Sequence, residues 1–256
     1  MIVELHDTAL AERLFIGWEE TMIWSCLQNV MGSIYVTDSE KPKSAMACVG
    51  CFAFFAGEAD EELVRGIPES AAIMVPHNET WAELIEADRP EARKTVRYAM
   101  KKDTRFDRNV LREIAASLPA GYRLRSLDGA MYDLCLQEPF SVDFVSSFGS
   151  RENYLERGRG VVILKDGRIV SGASSYSRYL EGIEIEVDTA PEERRKGLAG
   201  AACASLIMSC LEEGLYPSWD AQNLTSVHLA EKLGYELSHA YLAYERNGNG
   251  APVDKR

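Results

Sequence analysis

Residues 186–200 read EVDTAPEERRKGLAG and hold the densest set of groups able to do chemistry. Within them, Arg194, Arg195, Lys196, Gly197, Leu198, Ala199 and Gly200 lead from a turn into a run of small residues that reads as a helix start. Gly197 lets backbone approach a ligand closely, and the small Ala199 and Gly200 keep Cβ atoms out of its way. Amides in the first turn of a helix have no intrahelical acceptor and can take phosphate oxygens. The three cations add positive charge. The segment lacks the Gly-Lys-Ser/Thr of a P-loop and the GxGxxG spacing of a dinucleotide fold. Taken alone it fits an anion cradle and an ordinary basic loop about equally.

Just upstream, Ile183, Ile185 and Val187 alternate with Glu184, Glu186 and Asp188. That period of two describes a strand with one apolar and one acidic face. An alkyl amine is a nucleophile only when neutral, and its conjugate acid has a pKa of about 10. A nearby carboxylate can take the proton directly or through water. Glu184 and Glu186 are the candidate bases; a solvated polar face on an edge-like strand is the plain alternative. Cys48 and Cys51 form a CxxC inside an apolar strand-like run, with no second pair for zinc. His6, His77, His228 and His239 show no ligand spacing, so no metal is expected. Cys203 and Cys210 lie on the apolar face of a helix pattern and make poor nucleophiles.

Residues 7–28 read as one helix, followed by strand-like runs at 33–37 and 45–55. Short helices at 58–65 and 79–87 flank a strand at 71–75, and 109–117 reads as a helix. Pro119, Ala120 and Gly121 punctuate the chain. We therefore expect an N-terminal α/β domain over 1–118, without chemistry of its own and capping the acceptor site, and a second domain over 119–256. In that second part, strands at 161–164 and 168–174 flank Asp166-Gly167, a hairpin signal. A strand at 183–188, a helix at 198–211, a strand at 215–219, a helix at 224–233 and a last strand at 235–244 follow. Residues 247–256 read as a frayed tail. The fold class is α/β, with a mixed, mostly antiparallel sheet and flanking helices.

The composition is that of a globular protein: 256 residues, 46% hydrophobic and 27% charged. Lys and Arg number 13 against 20 Asp and Glu in residues 1–118, and 15 against 20 in 119–256, so neither half is basic. A nucleic-acid partner is not expected. The longest uncharged apolar run, residues 45–57, is too short to span a membrane. The opening residues lack the basic n-region of a secretory signal, and six cysteines are too few for a disulfide scaffold. The expected location is cytoplasmic; a homodimer is left open.

About two dozen residues beyond Gly200 comes Asn223-Leu-Thr-Ser226, and the next helix ends in Lys232-Leu-Gly-Tyr235. The loop, the two helices and this ending resemble the GNAT acetyltransferase superfamily over roughly residues 120–245. More narrowly, the wording is similar to the two-domain GNAT proteins grouped with the zwittermicin-resistance acetyltransferase. The resemblance implies a sheet splayed between the strands at 183–189 and 215–219, with acetyl-coenzyme A (acetyl-CoA) as cosubstrate in the splay. Backbone at Val187 and Thr189 would pair with the pantetheine, the amides of 195–200 would hold the pyrophosphate, and Asn223 and Ser226 would approach the cofactor. It implies N-acetylation of a small-molecule amine, pictured as an antibiotic-type acceptor. A non-catalytic acyl-CoA-binding sensor or partner-binding module is the rival reading. The sequence departs from the family at one place: the Tyr that many members carry seven residues after the Asn, read as general acid, is Ala230 here. Tyr235, Tyr241, Tyr244 and His228 are the nearby substitutes.

Overall fold

The computed structural model describes residues 1–246. The chain forms two compact units, one from residues 1–97 with the segment from residue 240 on, the other from residues 98–239. Residue 118, where the sequence places a boundary, therefore lies inside the second unit. The reason is packing: Leu111 and Ile114, on the helix before the Pro-Ala-Gly signal, belong to the second unit's core.

The first unit contains β1 (Val3–Glu4), α1 (Ala9–Glu12), α2 (Thr21–Leu27), β2 (Ser33–Val36), β3 (Ser44–Val49) and β4 (Phe52–Gly57). It continues with α3 (Glu61–Arg65), β5 (Ile73–Pro76) and α4 (Glu79–Asp88). Strands β1 to β4 pair antiparallel in sequence order, and β4 pairs parallel with β5. The single helix expected over 7–28 is two, because Gly17 takes φ +80° and the chain restarts at Thr21, where Glu20 caps Met22 N. The apolar run 45–57 is a hairpin turned at Gly50, φ +56°. Cys48 thus lies in β3 and Cys51 in the turn; neither is in a disulfide, and burial pushes Cys48 up to about 12.

Strand β6 (Arg93–Met100) leads into the second unit, and α5 (Arg108–Ala116), β7 (Arg123–Ser126) and α6 (Gly129–Cys135) follow. Two 3-10 turns follow, Val142–Phe144 and Ser146–Phe148. Next come α7 (Arg151–Arg157), β8 (Gly160–Lys165), β9 (Arg168–Tyr179), β10 (Gly182–Thr189) and α8 (Leu198–Glu212). The last elements are β11 (Tyr216–Ser218), β12 (Asp220–Ala221), α9 (Leu224–Lys232) and β13 (Leu237–Glu245). The expected tail at 247–256 lies outside the described residues. The five-stranded sheet runs β11-β10-β9-β8-β7, antiparallel except for the parallel β10–β11 pair. Asp166 and Gly167 both take positive φ, as a two-residue hairpin turn requires.

Helix α8 holds the core. Leu198, Ala201, Ala202, Cys203, Ala204, Leu206, Ile207 and Cys210 are all buried, so it is enclosed nearly all round rather than on one stripe. Its small residues let neighbours approach: a Cβ on Gly200 would stand 3.6 Å from Ile114 and 3.9 Å from Leu229. Ile183 and Ile185 of β10 pack into the same cluster. Their alternation turns Glu184, Glu186 and Asp188 to the other face of the sheet.

Candidate active site

Strand β10 is the axis of the site, and its two edges differ. Along one edge it pairs with β9 from Gly182 to Thr189. Along the other, β11 accompanies it only over Gly182–Glu184, opposite Tyr216–Ser218. After Trp219 the chain enters β12, which pairs instead with β6. Among the described residues, β10 has no strand on that second edge beyond Glu184. At the same point the register with β9 shifts between Glu184 and Ile185, so β9 carries one extra residue, Tyr176. The splay expected between 183–189 and 215–219 is thus present as a parallel pair that parts after three residues.

At the far end of β10 the chain turns through the 3-10 segment Pro191–Glu193 and reaches α8. Arg195 has φ +64° and Gly197, the N-cap, φ +80°. Helices α3, α4, α5, α6, α7 and α9 each begin on a side-chain cap: Asp60, Asn78, Asp107, Asp128, Ser150 and Asn223. Helix α8 begins on a glycine and has none. Among the described residues no protein acceptor takes the amides of residues 195–200; the first bonded amide of α8 is Ala201, at 3.1 Å from Gly197 O. Two left-handed residues with bare amides around them offer a concavity for an anion. The chemistry of a diphosphate fits these donors.

The cations around the cradle are less available than their number suggests. Lys196 Nζ donates to Glu193 at 2.6 Å, and Arg194 Nε donates to Thr189 O at 3.2 Å. Arg195 is exposed. Glu193 is a hub that sequence reasoning missed. It is buried, and it also accepts from Lys165 Nζ and Tyr122 Oη, at 2.7 and 2.5 Å. These donors hold its carboxyl down at about 2. The sequence shows only one more Glu in an acidic-basic turn; its partners lie 28 and 71 residues away.

Two further expectations are corrected. Thr189 is not open to pairing: its N–H donates to Asp188 Oδ1 at 2.7 Å, its C=O takes Arg194, and its hydroxyl meets Ser171 Oγ at 2.8 Å. The small size of Gly200 serves contact with α5 and α9 rather than clearance for a ligand, since a helix turns successive Cβ positions to different sides. Val187 lies on the part of β10 that has no second neighbour. Leu198 is buried and Ala199 half-buried at the head of α8. Asn223 Oδ1 caps α9 through Ser226 N at 3.0 Å, and Ser226 Oγ accepts from Trp219 Nε1 at 3.1 Å.

Glu184 is 3% exposed, so the picture of a solvated acidic edge does not hold for it. It lies opposite Ser177 on β9 and Ser218 on β11, both fully buried. Ser177 Oγ has no hydrogen-bond partner among the described residues. Ser218 Oγ accepts from Lys102 Nζ at 2.7 Å. Tyr179, Tyr216 and Tyr235 surround this place; burial pushes all three phenols up, and the charge of Glu184 pushes in the same direction. Glu186 is half-buried opposite Ser174, whose hydroxyl is tied to Tyr154 Oη and Phe144 O. The cysteines of α8 are buried thiols, with Cys210 pushed up to about 12 and Cys203 higher still.

A bare-amide helix start at the end of a strand whose neighbour has split away offers donors for a diphosphate and an open strand edge for an extended chain. A model of the GNAT acetyltransferases matches residues 12–244, and the chain belongs to that family. It is 47% identical to a GCN5-related N-acetyltransferase-like protein from Streptococcus suis 89/1591, with a TM-score of 0.91 over 93% of this chain and 98% of that one. It is 24% identical over 240 residues to the uncharacterized N-acetyltransferase YdfB of Bacillus subtilis (strain 168), covering 88% of this chain and 89% of that protein. A tandem GNAT protein from the clavulanic acid biosynthesis pathway shares the fold at a TM-score of 0.53 and 10% identity, over 99% of both chains. No helix among the described residues is long and apolar enough to cross a membrane, and none of their His, Cys, Asp and Glu form a group of three that could hold a metal ion.

Proposed function

We propose that the protein moves an acetyl group from acetyl-CoA to a primary amine of a small molecule by direct transfer. One observation carries this reading: the amides of 195–200 have no acceptor among the described residues and lie beyond the stretch of β10 that β11 no longer accompanies. In this reading those amides, with Arg195 beside them, hold the diphosphate. Backbone near Val187 pairs with the pantetheine, and Asn223 and Ser226 line its path. Glu184 is the first candidate for the base and Glu186 the second. Burial beside Ser177 and Ser218 sets Glu184 where a carboxylate can act without competition from bulk water. The acceptor of antibiotic type and the kinship with the zwittermicin-resistance acetyltransferases are part of the same proposal.

Ala230 favours a second reading, a non-catalytic acyl-CoA binder. Calorimetric titration with acetyl-CoA followed by thiol release across a panel of amines separates the two. Saturable binding and thiol release with a small amine is the expected result. Binding without release from any amine supports the sensor, and release only with polypeptides moves the acceptor to a protein amine. Absence of binding overturns the proposal.

A further inference from the structure

The family position read as general acid is Ala230, which is fully buried, so the departing thiolate needs another partner. The nearby candidates are engaged or remote. Tyr235 Oη donates to Pro217 O at 2.5 Å in a fully buried place. Tyr216 Oη donates to Lys101 O at 3.0 Å. Tyr244 Oη donates to Glu86 in the first unit. His228 is exposed on α9.

One cation does reach the fork. Lys102 follows β6 and is half-buried, unlike its exposed chain neighbours Lys101 and Asp103. Its Nζ lies 2.7 Å from Ser218 Oγ and 3.5 Å from Trp219 O. Ser218 is the last residue of β11 to pair with β10, and its partner there is Glu184. The ammonium therefore sits where the two strands part. Tyr216 on β11 feels both Lys102 and Glu184, while Tyr179 on β9 and Tyr235 beyond α9 feel Glu184.

We propose that Lys102 supplies the positive charge that meets the leaving thiolate, the task assigned in other family members to the Tyr replaced here by Ala230. This rests on acetyl-CoA occupying the fork. In the transfer the amine nitrogen forms the C–N bond, the C–S bond breaks with its electron pair on sulfur, and the amine proton passes to the base. The ammonium at the fork then neutralises the sulfur and can give it a proton. No oxidant or reductant is needed.

The test reads bound CoA rather than turnover. CoA thiolate absorbs in the ultraviolet where the thiol does not, and a free thiol titrates near pH 8.5. With saturating CoA, the wild-type protein is expected to lower the thiol's midpoint by about one unit, about a tenfold rise in thiolate fraction at pH values well below both midpoints. Lys102→Met is expected to abolish the shift, and Lys102→Arg to keep most of it while CoA still binds. An equal shift in wild type and Lys102→Met, or none in wild type with CoA bound, overturns the assignment of Lys102 alone. Failure of wild type to bind CoA overturns the reading of the fork along with it. Should Lys102→Met not fold, Lys102→Gln takes its place in the same comparison.

Discussion

The two ends of β10 are built by different means. At its end, the cradle of residues 195–200 is made of main chain: bare amides, two left-handed residues and a helix with a glycine cap. At its start, the place around Glu184 is made of side chains from β9, β10, β11 and the segment after β6. A main-chain site needs conformation more than composition, so it tolerates substitutions that keep φ and ψ. A side-chain site needs particular atoms, each brought by a different strand. The two ends therefore answer differently to mutation.

The largest effect is expected at the side-chain end. Glu184→Gln keeps shape and removes the proton acceptor, so turnover at neutral pH should fall about 100- to 10,000-fold, the usual contribution of a positioned base. Acetyl-CoA affinity should change little, and activity should recover in part at high pH as the amine loses its proton in solution. Glu186→Gln, on the half-buried neighbour, should fall far less. Equal, small losses in both variants, with an unchanged pH profile, would remove Glu184 from the role.

The main-chain end should respond through binding. Gly197 takes φ +80°, and a Cβ built there meets nothing within 4 Å. The Cβ of Gly197→Val thus meets no neighbour, and the left-handed φ imposes backbone strain of roughly 1–3 kcal/mol. If the loop relaxes to escape it, acetyl-CoA binding should weaken about 10- to 100-fold with turnover at saturation nearly intact. Ala199→Gly, which leaves the left-handed positions alone, is the control and should bind within a few-fold of wild type. Calorimetry decides; a Gly197→Val variant that binds as well as wild type would show that the cradle does not depend on that conformation.

The same contrast explains what could be read from the sequence. The cradle was legible because its determinants are contiguous: Arg194 to Gly200 declares a turn, a glycine and a helix start. The β10 alternation was legible too, since period two survives in Ile183 to Asp188. The fork's location followed from the resemblance, not from any pattern in 215–219, where a continuous strand was expected and β11 and β12 part at Trp219. The neighbours of Glu184 were not legible, because Ser177 and Ser218 come from two strands, and Lys102, from the segment after β6, lay outside the expected domain. The unit division was misplaced for a related reason. Pro119 to Gly121 is a real break in local structure, yet α5 before it packs on α8 nearly ninety residues later. Local punctuation marks where an element stops, and only long-range burial decides to which core it belongs.

Glu193 joins the two ends of the argument, being a side chain that braces the main-chain cradle. Its carboxylate takes Lys165, Lys196 and Tyr122 together, which ties the turn before the cradle to β7 and the β8–β9 hairpin. These bonds hold its carboxyl at about 2, below the ordinary value of 4.5. A group depressed in the folded state stabilises it above the unfolded value, and that contribution fades as pH falls through the folded one. Glu193→Gln lacks the charge at every pH. The gap in thermal midpoint between wild type and Glu193→Gln should therefore be full above about pH 4.5 and close as pH falls toward 2. Acetyl-CoA affinity of the variant at neutral pH should drop only a few-fold, since the amides remain while Lys196 loses its anchor. A thermal gap that stays constant across that range would mean that the three donors do not act through the charge of Glu193, and the brace would then be a matter of packing alone.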